Sequence, residues 1–224
     1  MIIVEDVYKQ SKTELNTDKW LLRGVSLTIP RGVSVGIVGH SADEKSALLR
    51  LIGGIESATQ GKIVRHSFVS WPMGFAGGLQ VGLTGRQNAR FICRVHGQTK
   101  NIEERLAYIQ SFSELERDFD KPLKTYSGNM KQQLLFSIFI ASEFDIYLSD
   151  VGVATGNNRE FKKKATDAFK AVTENAGLVM TGNDAVLEQF CRAGIWLHEG
   201  QAYWFDDIQD ALNHYKESAN ESEK

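Results

Sequence analysis

The sequence predicts an α/β fold with half-buried strands at its N-terminus and a helical insert, built around a phosphate-binding loop. Three observations predict it. The apolar run Val33 to Val38 leads into Gly39 to Ala47, read G-H-S-A-D-E-K-S-A, and then into the helical pattern Leu48 to Ile52. In that strand-turn-helix order, backbone N–H groups at a helix N-terminus can cradle phosphate. Ile2 to Val7 and Val25 to Ile29 alternate like half-buried strands. Residues 84–142 then carry three helical patterns before strand and helix alternate again.

The elements follow in order. After the first strand comes a polar linker, Lys9 to Lys19, and after the second a turn at Pro30 and Gly32. Lys45 to Ile52 predicts a short helix ended by Gly53-Gly54, and Ile63 to Ser70 one or two strands. Trp71 to Gly85, rich in glycine and apolar residues, predicts an irregular loop that needs a partner surface or a function. Thr84 with Gln87 is a capping-box signature for a helix to about His96. Asn101 caps the next, with Ile102, Leu106, Ile109 and Phe112 on one face. Pro122 breaks the pattern, and a third helix starts at Ser127, burying Leu134, Leu135, Ile138 and Phe139.

Asp145 to Ser149 and Leu178 to Thr181 then read as strands, and Arg159 to Asn175 and Ala185 to Cys191 as helices. Ile195 to Phe205 reads as a hairpin turning at Glu199-Gly200, and Ile208 to Tyr215 as a last helix. The expected organisation is one domain over 1–224, with a core at 1–83 and 143–215, a helical subdomain at 84–142 and a disordered tail at 216–224.

At 224 residues and 42% apolar content the chain can bury one sizeable core. The net charge of -2 and pI near 6.2 supply no global basic field, so no nucleic-acid partner is expected. Cys93 and Cys191 lie in apolar contexts without metal-ligand spacing, as buried small residues in a reducing compartment do. The N-terminus reads as a strand with two acids, and the longest apolar run, Leu134 to Ala141, falls far short of the roughly 20 residues that span a bilayer. A cytoplasmic protein that reaches a membrane only through a partner is expected.

In the loop, Gly39, Lys45 and Ser46 stand in register with G-x-x-x-x-G-K-[ST], where Lys neutralises phosphate and Ser holds Mg²⁺. Taken alone, these three residues equally fit a plain strand-turn-helix junction. Ala42 and Glu44 occupy the places of inner glycines, with Asp43 between them. A carboxylate about 5 Å from one phosphate charge, at an effective dielectric of about 20, opposes it by roughly 3 kcal/mol. Two readings of Glu44 stay open: its carboxylate pairs with Lys45 or a nearby Lys and fills the cradle, or it is a solvated acid. The run Lys162 to Lys164 reads as a solvated helix face, and His40, His66, His96, His198 and His214 as loop or edge residues without ligand spacing.

The phosphate loop, the Gly-rich loop, the helical insert ending in Y-S-G-N-M at 126–130 and the apolar strand ending in Asp150 form an order that resembles the ATP-binding cassette (ABC) ATPases. Within them the chain is similar to ATPase subunits of capsular and other surface-polysaccharide exporters. The residues that carry this are L-L-R-L-I-G-G-I at 48–55, S-W-P-M-G-F-A-G-G at 70–78, L-T-G-R-Q-N at 83–88 and K-T-Y-S at 124–127.

The resemblance implies an α/β fold, a P-loop NTPase core of ABC-ATPase type with an N-terminal antiparallel β subdomain and a helical insert, and ATP and Mg²⁺ as cofactors. It assigns nucleotide binding to Gly39, Lys45, Ser46 and Asp150, with Mg²⁺ held at Ser46 and Asp150, and the partner-facing signature to Ser127 and Gly128. Asn129 stands where the signature has a glycine. Two catalytic positions depart from the family: Val151 replaces the carboxylate expected after Asp150, and Asn183 replaces the switch histidine. Ser11 stands where an aromatic stacks on adenine; Trp20 or Tyr8 can substitute for it or belong to the core. Gln80 lies near the metal-sensing position without matching it.

The implied function is the ATP-binding subunit of a polysaccharide exporter with hydrolysis lost or weak; the alternative is a non-catalytic partner or regulator that pairs with an intact ATPase. The implied partners are a membrane permease, docked at Trp71 to Gly85, and a second ABC ATPase in a hetero- or homodimer. Such a subunit sits on the inner face of the cell membrane.

Overall fold

The computed structural model describes residues 1–11, 19–73, 78–150 and 159–222. Val151, Phe75 and the last two residues therefore lie outside the described residues. Two compact units emerge, one holding both sheets and the other the helices of the insert.

In the first unit, alternation pairs the N-terminal strands. β1 (Ile2–Gln10) buries Ile2, Val4 and Val7 and pairs antiparallel with β2 (Trp20–Ile29) and β4 (Gln60–Arg65), giving the order β2-β1-β4. The second sheet joins β3 (Ser34–Val38), β5 (Val69–Met73), β6 (Ile146–Ser149), β7 (Gly177–Met180), β8 (Ala193–His198) and β9 (Gln201–Phe205) in the order β5-β6-β7-β3-β8-β9. β3 runs parallel to β7 and β8, and β6 parallel to β7. Strands buried on both faces read as short continuous apolar runs, which is how β3, β6 and β7 read. β8 and β9 form the hairpin, with positive φ at both turn residues, Glu199 (51°) and Gly200 (79°).

Helix α1 (Ala42–Ile52) buries Leu48, Leu49, Leu51 and Ile52 in one core with the inner residues of both sheets. Each such side chain contributes about 1.5–3 kcal/mol of apolar transfer. Arg65 closes its C-terminal end, donating to the carbonyls of Leu51 and, at 2.7 Å, Ile52. Two further helices follow, α6 (Asp184–Phe190) and α7 (Ile208–Ser222).

Two expectations for this unit need correction. Trp71 to Met73 belong to strand β5 and not to an irregular loop, and the Trp71 ring packs edge-on against Phe144 at 5.4 Å. The last helix does not end at Tyr215, and the segment expected to be disordered from Lys216 is helical through Ser222. K-E-S-A-N-E-S contains no glycine or proline to stop it, and Lys216 Nζ pairs with Asp184 at 2.9 Å.

The second unit holds α2 (Gly85–Val95), α3 (Ile102–Ser113), α4 (Gly128–Ala141) and most of α5 (Arg159–Glu174). Leu106, Ile109 and Phe112 are buried, and Phe112 meets Phe161 edge-on at 5.8 Å while Phe139 stacks on Phe169 at 6.5 Å. The Thr84–Gln87 capping box is formed on both sides. Asn101 stands at the N-cap of α3 with φ 53° but makes no side-chain cap bond, so it serves through its tolerance of left-handed backbone. Lys162 and Lys163 are exposed as expected, while Lys164, still 38% exposed, is held: its ammonium donates to Phe112 O at 2.9 Å and pairs with Glu114 at 2.9 Å, closing the end of α3. Among the described residues, no helix is long and apolar enough to cross a membrane, and Cys93 and Cys191 are buried free thiols.

Candidate functional site

In an open parallel sheet the carboxyl ends of the strands form the crevice where ligands bind. Here Gly39 follows β3, Asp150 follows β6, and Thr181 to Asn183 follow β7. Gly39 takes φ 155°, and a Cβ on it would lie 2.7 Å from Leu197 O, so the position admits only glycine. The Ser46 hydroxyl donates to Asp150 Oδ2 at 2.8 Å, and the Thr181 hydroxyl donates to Asp150 Oδ1 at 2.7 Å. Thr181 was not singled out by sequence reasoning, although its place in V-M-T-G-N-D, just past an apolar strand, was the available signal.

The loop itself departs from the expected start of α1. The helix begins at Ala42 and not at Lys45, and Ser41 is its N-cap: Ser41 Oγ accepts from the Glu44 N–H at 3.2 Å and Ser41 O from the Lys45 N–H at 3.3 Å. Serine is a strong N-cap, alanine the best helix former, and Asp43 and Glu44 complement the positive end of the helix dipole. The residues in place of inner glycines therefore wind the loop into a first helical turn. The amides of residues 44 and 45 consequently serve the helix, whose first turn carries both acids.

Glu44 is half-buried and no solvated acid, and the nearby lysine whose charge acts on it is Lys19 and not Lys45. Its carboxylate turns to the hairpin: burial pushes its pKa above the ordinary value, opposed by Lys19, the hydrogen-bonding Gly200 backbone N–H, His198 and Arg23. Asp43 is exposed and, with Ser11, borders a cavity of about 230 Å³ walled by Lys9, Arg50 and Glu56. Among the described residues these walls are largely charged and offer no flat aromatic surface at Ser11. Tyr8 and Trp20 pack edge-on against each other at 5.7 Å. Lys9 is 3% exposed and bonds both Ser57 O, at 2.9 Å, and Glu56, at 2.7 Å; Arg50 reaches the other Glu56 oxygen at 2.8 Å.

Asn183 is an N-cap residue, its Oδ1 accepting from the Val186 N–H at 3.0 Å at the start of α6. In the second unit Ser127 likewise caps α4, accepting from Met130 N at 3.2 Å, and Ser127, Gly128 and Asn129 are all exposed. The backbone of Gln80 is held by buried Asn88, whose Oδ1 accepts from Gln80 N at 2.7 Å and whose Nδ2 donates to Gln80 O at 3.0 Å. Asn88 was overlooked, though it closes the L-T-G-R-Q-N motif.

A hydroxyl and a carboxylate within hydrogen-bond reach, Ser46 and Asp150, are oxygen donors of the kind Mg²⁺ accepts. The described residues fit the metal better than the phosphates. The first turn of α1 already uses two of the loop amides and carries two acids, so the cradle of this conformation receives a polyphosphate poorly.

The ABC transporter family model matches residues 22–151. The polysialic acid transport ATP-binding protein KpsT of Escherichia coli is 35% identical over 218 residues, covering 96% of this chain and 99% of that protein. The capsule polysaccharide export ATP-binding protein CtrD of Neisseria meningitidis serogroup B is 36% identical over 217 residues, 96% of this chain and 98% of its own. Among solved structures, a dimeric post-hydrolysis ATP-binding cassette bound to ADP and Pi aligns with TM-score 0.74 at 19% identity, over 93% of this chain and 99% of that one. That likeness carries the α/β cassette fold, with its N-terminal antiparallel sheet and helical subdomain.

Proposed function

This chain belongs to the ABC transporter family, and from that premise we propose that it is the nucleotide-binding-domain subunit of an exporter for capsular or other surface polysaccharide, with its own hydrolysis lost or weak. The observation that carries this reading is the helical first turn of α1, in which Ser41 takes the amides of Glu44 and Lys45. Hydrolysis needs charge stabilisation around the transferred phosphoryl group and a group that orients the attacking water. Val151 has no such group, and Asn183 bonds Val186. Gly39, Lys45, Ser46 and Asp150 are the residues left to hold ATP and Mg²⁺.

The substrate class comes from the capsule and polysialic acid exporters that the chain resembles over nearly its whole length. The partners are a membrane permease and a second cassette, which place the subunit on the inner face of the membrane. A second reading has its own support: Ser127 and Gly128 stand exposed at the start of α4 while the chain's own loop is wound shut. A chain with a usable signature and a poor phosphate loop suits a heterodimer with an intact ATPase.

Calorimetric titration of the full chain with Mg-ATP, paired with phosphate release, tests the reading. Weak or absent binding and negligible turnover are expected. Turnover at or above about 1 per second, ordinary for an enzyme, would overturn it.

A further inference from the structure

We propose that the C-terminal turns of α7 position the two loops of the site, Tyr215 holding the phosphate loop through His40 and Lys216 holding the segment after β7 through Asp184. The inference rests on reading residues 39–46 as the nucleotide site.

The seating of α7 makes this possible. Its first amide, Ile208 N–H, donates to Arg192 O at 2.8 Å, just before β8 begins, so the helix starts at the amino end of that strand and runs toward the carboxyl edge. It lies directly on the sheet because two strand positions lack side chains. A Cβ on Gly194 would meet Ala211 Cβ at 2.3 Å, and one on Gly36 of β3 would meet Ile208 Cδ1 at 2.7 Å. A helix seated this closely has little freedom to slide.

At the carboxyl edge α7 meets both loops of the site, beside His214, whose ring packs on Trp196 at 6.0 Å and Phe205 at 4.9 Å. The ring of Tyr215 lies 4.7 Å from that of His40, tilted by 53°. His40 follows Gly39 and precedes the cap residue Ser41, so its imidazole is a handle on the start of the loop. One residue on, Lys216 Nζ pairs with Asp184 at 2.9 Å. Asp184 opens α6 directly after its cap Asn183, so this pair is a handle on the segment that also carries Thr181.

The two handles have a consequence for the loop. Unwinding the first turn of α1 into an open cradle would shift His40, whose exposed ring is held against Tyr215. α7 therefore favours the wound form, and a change in the loop would be felt in its last turns. An exposed ion pair alone gives little, so Tyr215 carries the larger share.

Hydrogen exchange on the full chain tests this without nucleotide. Tyr215→Ala should speed exchange of the Glu44 and Lys45 amides about threefold to tenfold, the change that loss of one aromatic pair gives. The Val35 to Val38 amides of β3 should stay as they are, and Tyr215→Phe should exchange like the parent chain. Lys216→Ala should speed the Val186 amide that Asn183 caps. Unchanged loop exchange in Tyr215→Ala, or equal acceleration through β3, would overturn the proposal. A parallel Mg-ATP titration separates the two ideas: loop release with unchanged affinity supports the role of α7 and counts against the loop as a nucleotide site.

Discussion

Ser46 and Asp150, 104 residues apart in the chain, meet through a 2.8 Å hydrogen bond from the serine hydroxyl to Oδ2. Thr181 occupies the other oxygen at 2.7 Å. One carboxylate thus joins the ends of β6 and β7 to the helix after β3. Asp150→Ala should leave both hydroxyls without their acceptor and cost about 1–3 kcal/mol. In a chain of this size that is a fall in melting temperature of roughly 2–12 °C. Calorimetric melting checks it; an unchanged midpoint would mean that water replaces the carboxylate.

Asn183→His introduces the histidine that the resemblance implies at this position but removes a cap. Turnover should stay negligible, because the loop is unaltered, while stability falls by about 0.5–2 kcal/mol from loss of the bond to Val186 N–H. Phosphate release and denaturant melts on the same variant separate the two effects. Recovered ATPase activity would show that the switch position alone limits the chain.

Loop winding predicts how affinity can be regained. Ala42→Gly, Asp43→Ala and Glu44→Gly together weaken the first turn of α1, by about 1 kcal/mol at each glycine, and remove both acids. Calorimetry should show tighter Mg-ATP binding in the triple variant. Unchanged affinity would move the limitation to the charged pocket beside Ser11.

Acid should weaken the first unit through Glu56. Burial raises its pKa, but the hydrogen bonds and charges of Lys9 and Arg50 outweigh it and hold the carboxyl below the ordinary value of 4.5. A depressed folded pKa gives stability that is present above the unfolded value and lost as pH falls through the folded one. Denaturant midpoints should therefore drop below about pH 4.5 in the parent chain. Glu56→Gln should flatten that drop. Lys9→Met, which removes the shorter partner bond of Glu56 but leaves Arg50 on its other oxygen, should cost about 1–3 kcal/mol at neutral pH.

Where the chain signals are local, sequence and structure agree: the Thr84–Gln87 box, the Ser127 cap and the Glu199-Gly200 turn each arise within four residues. The differences come from contacts that sequence cannot locate. α7 continues past Tyr215, where the Tyr215 ring meets His40 and Lys216 meets Asp184, and Trp71 is a strand residue with Phe144 packed on it. In the site, Gly39, Lys45 and Ser46 were legible from spacing. The early start of α1 was missed because the resemblance to intact loops outweighed a local signal, Ser-Ala-Asp-Glu, that favours a capped helix.

The docking surface follows from the corrected position of Trp71. Sequence assigns the permease contact to the whole of Trp71 to Gly85, yet Trp71 packs on Phe144, and Phe75 lies outside the described residues. Exposed apolar side chains remain at Val81 and Leu83, and at Phe91 and Val95 one turn apart on α2. Single exposed apolar residues are ordinary, but four within fifteen positions of one segment fit an interaction surface. Val81→Asp with Phe91→Ser should keep the melting temperature of the isolated chain, since surface changes usually stay within about 0.5 kcal/mol, and should abolish co-purification with a co-expressed permease. Trp71→Ala should instead lower stability by about 1–3 kcal/mol, since the half-buried ring packs on Phe144. If the surface pair keeps the permease while Trp71→Ala melts normally and loses it, the contact lies on β5, and the packing of Trp71 against Phe144 is not what holds that strand.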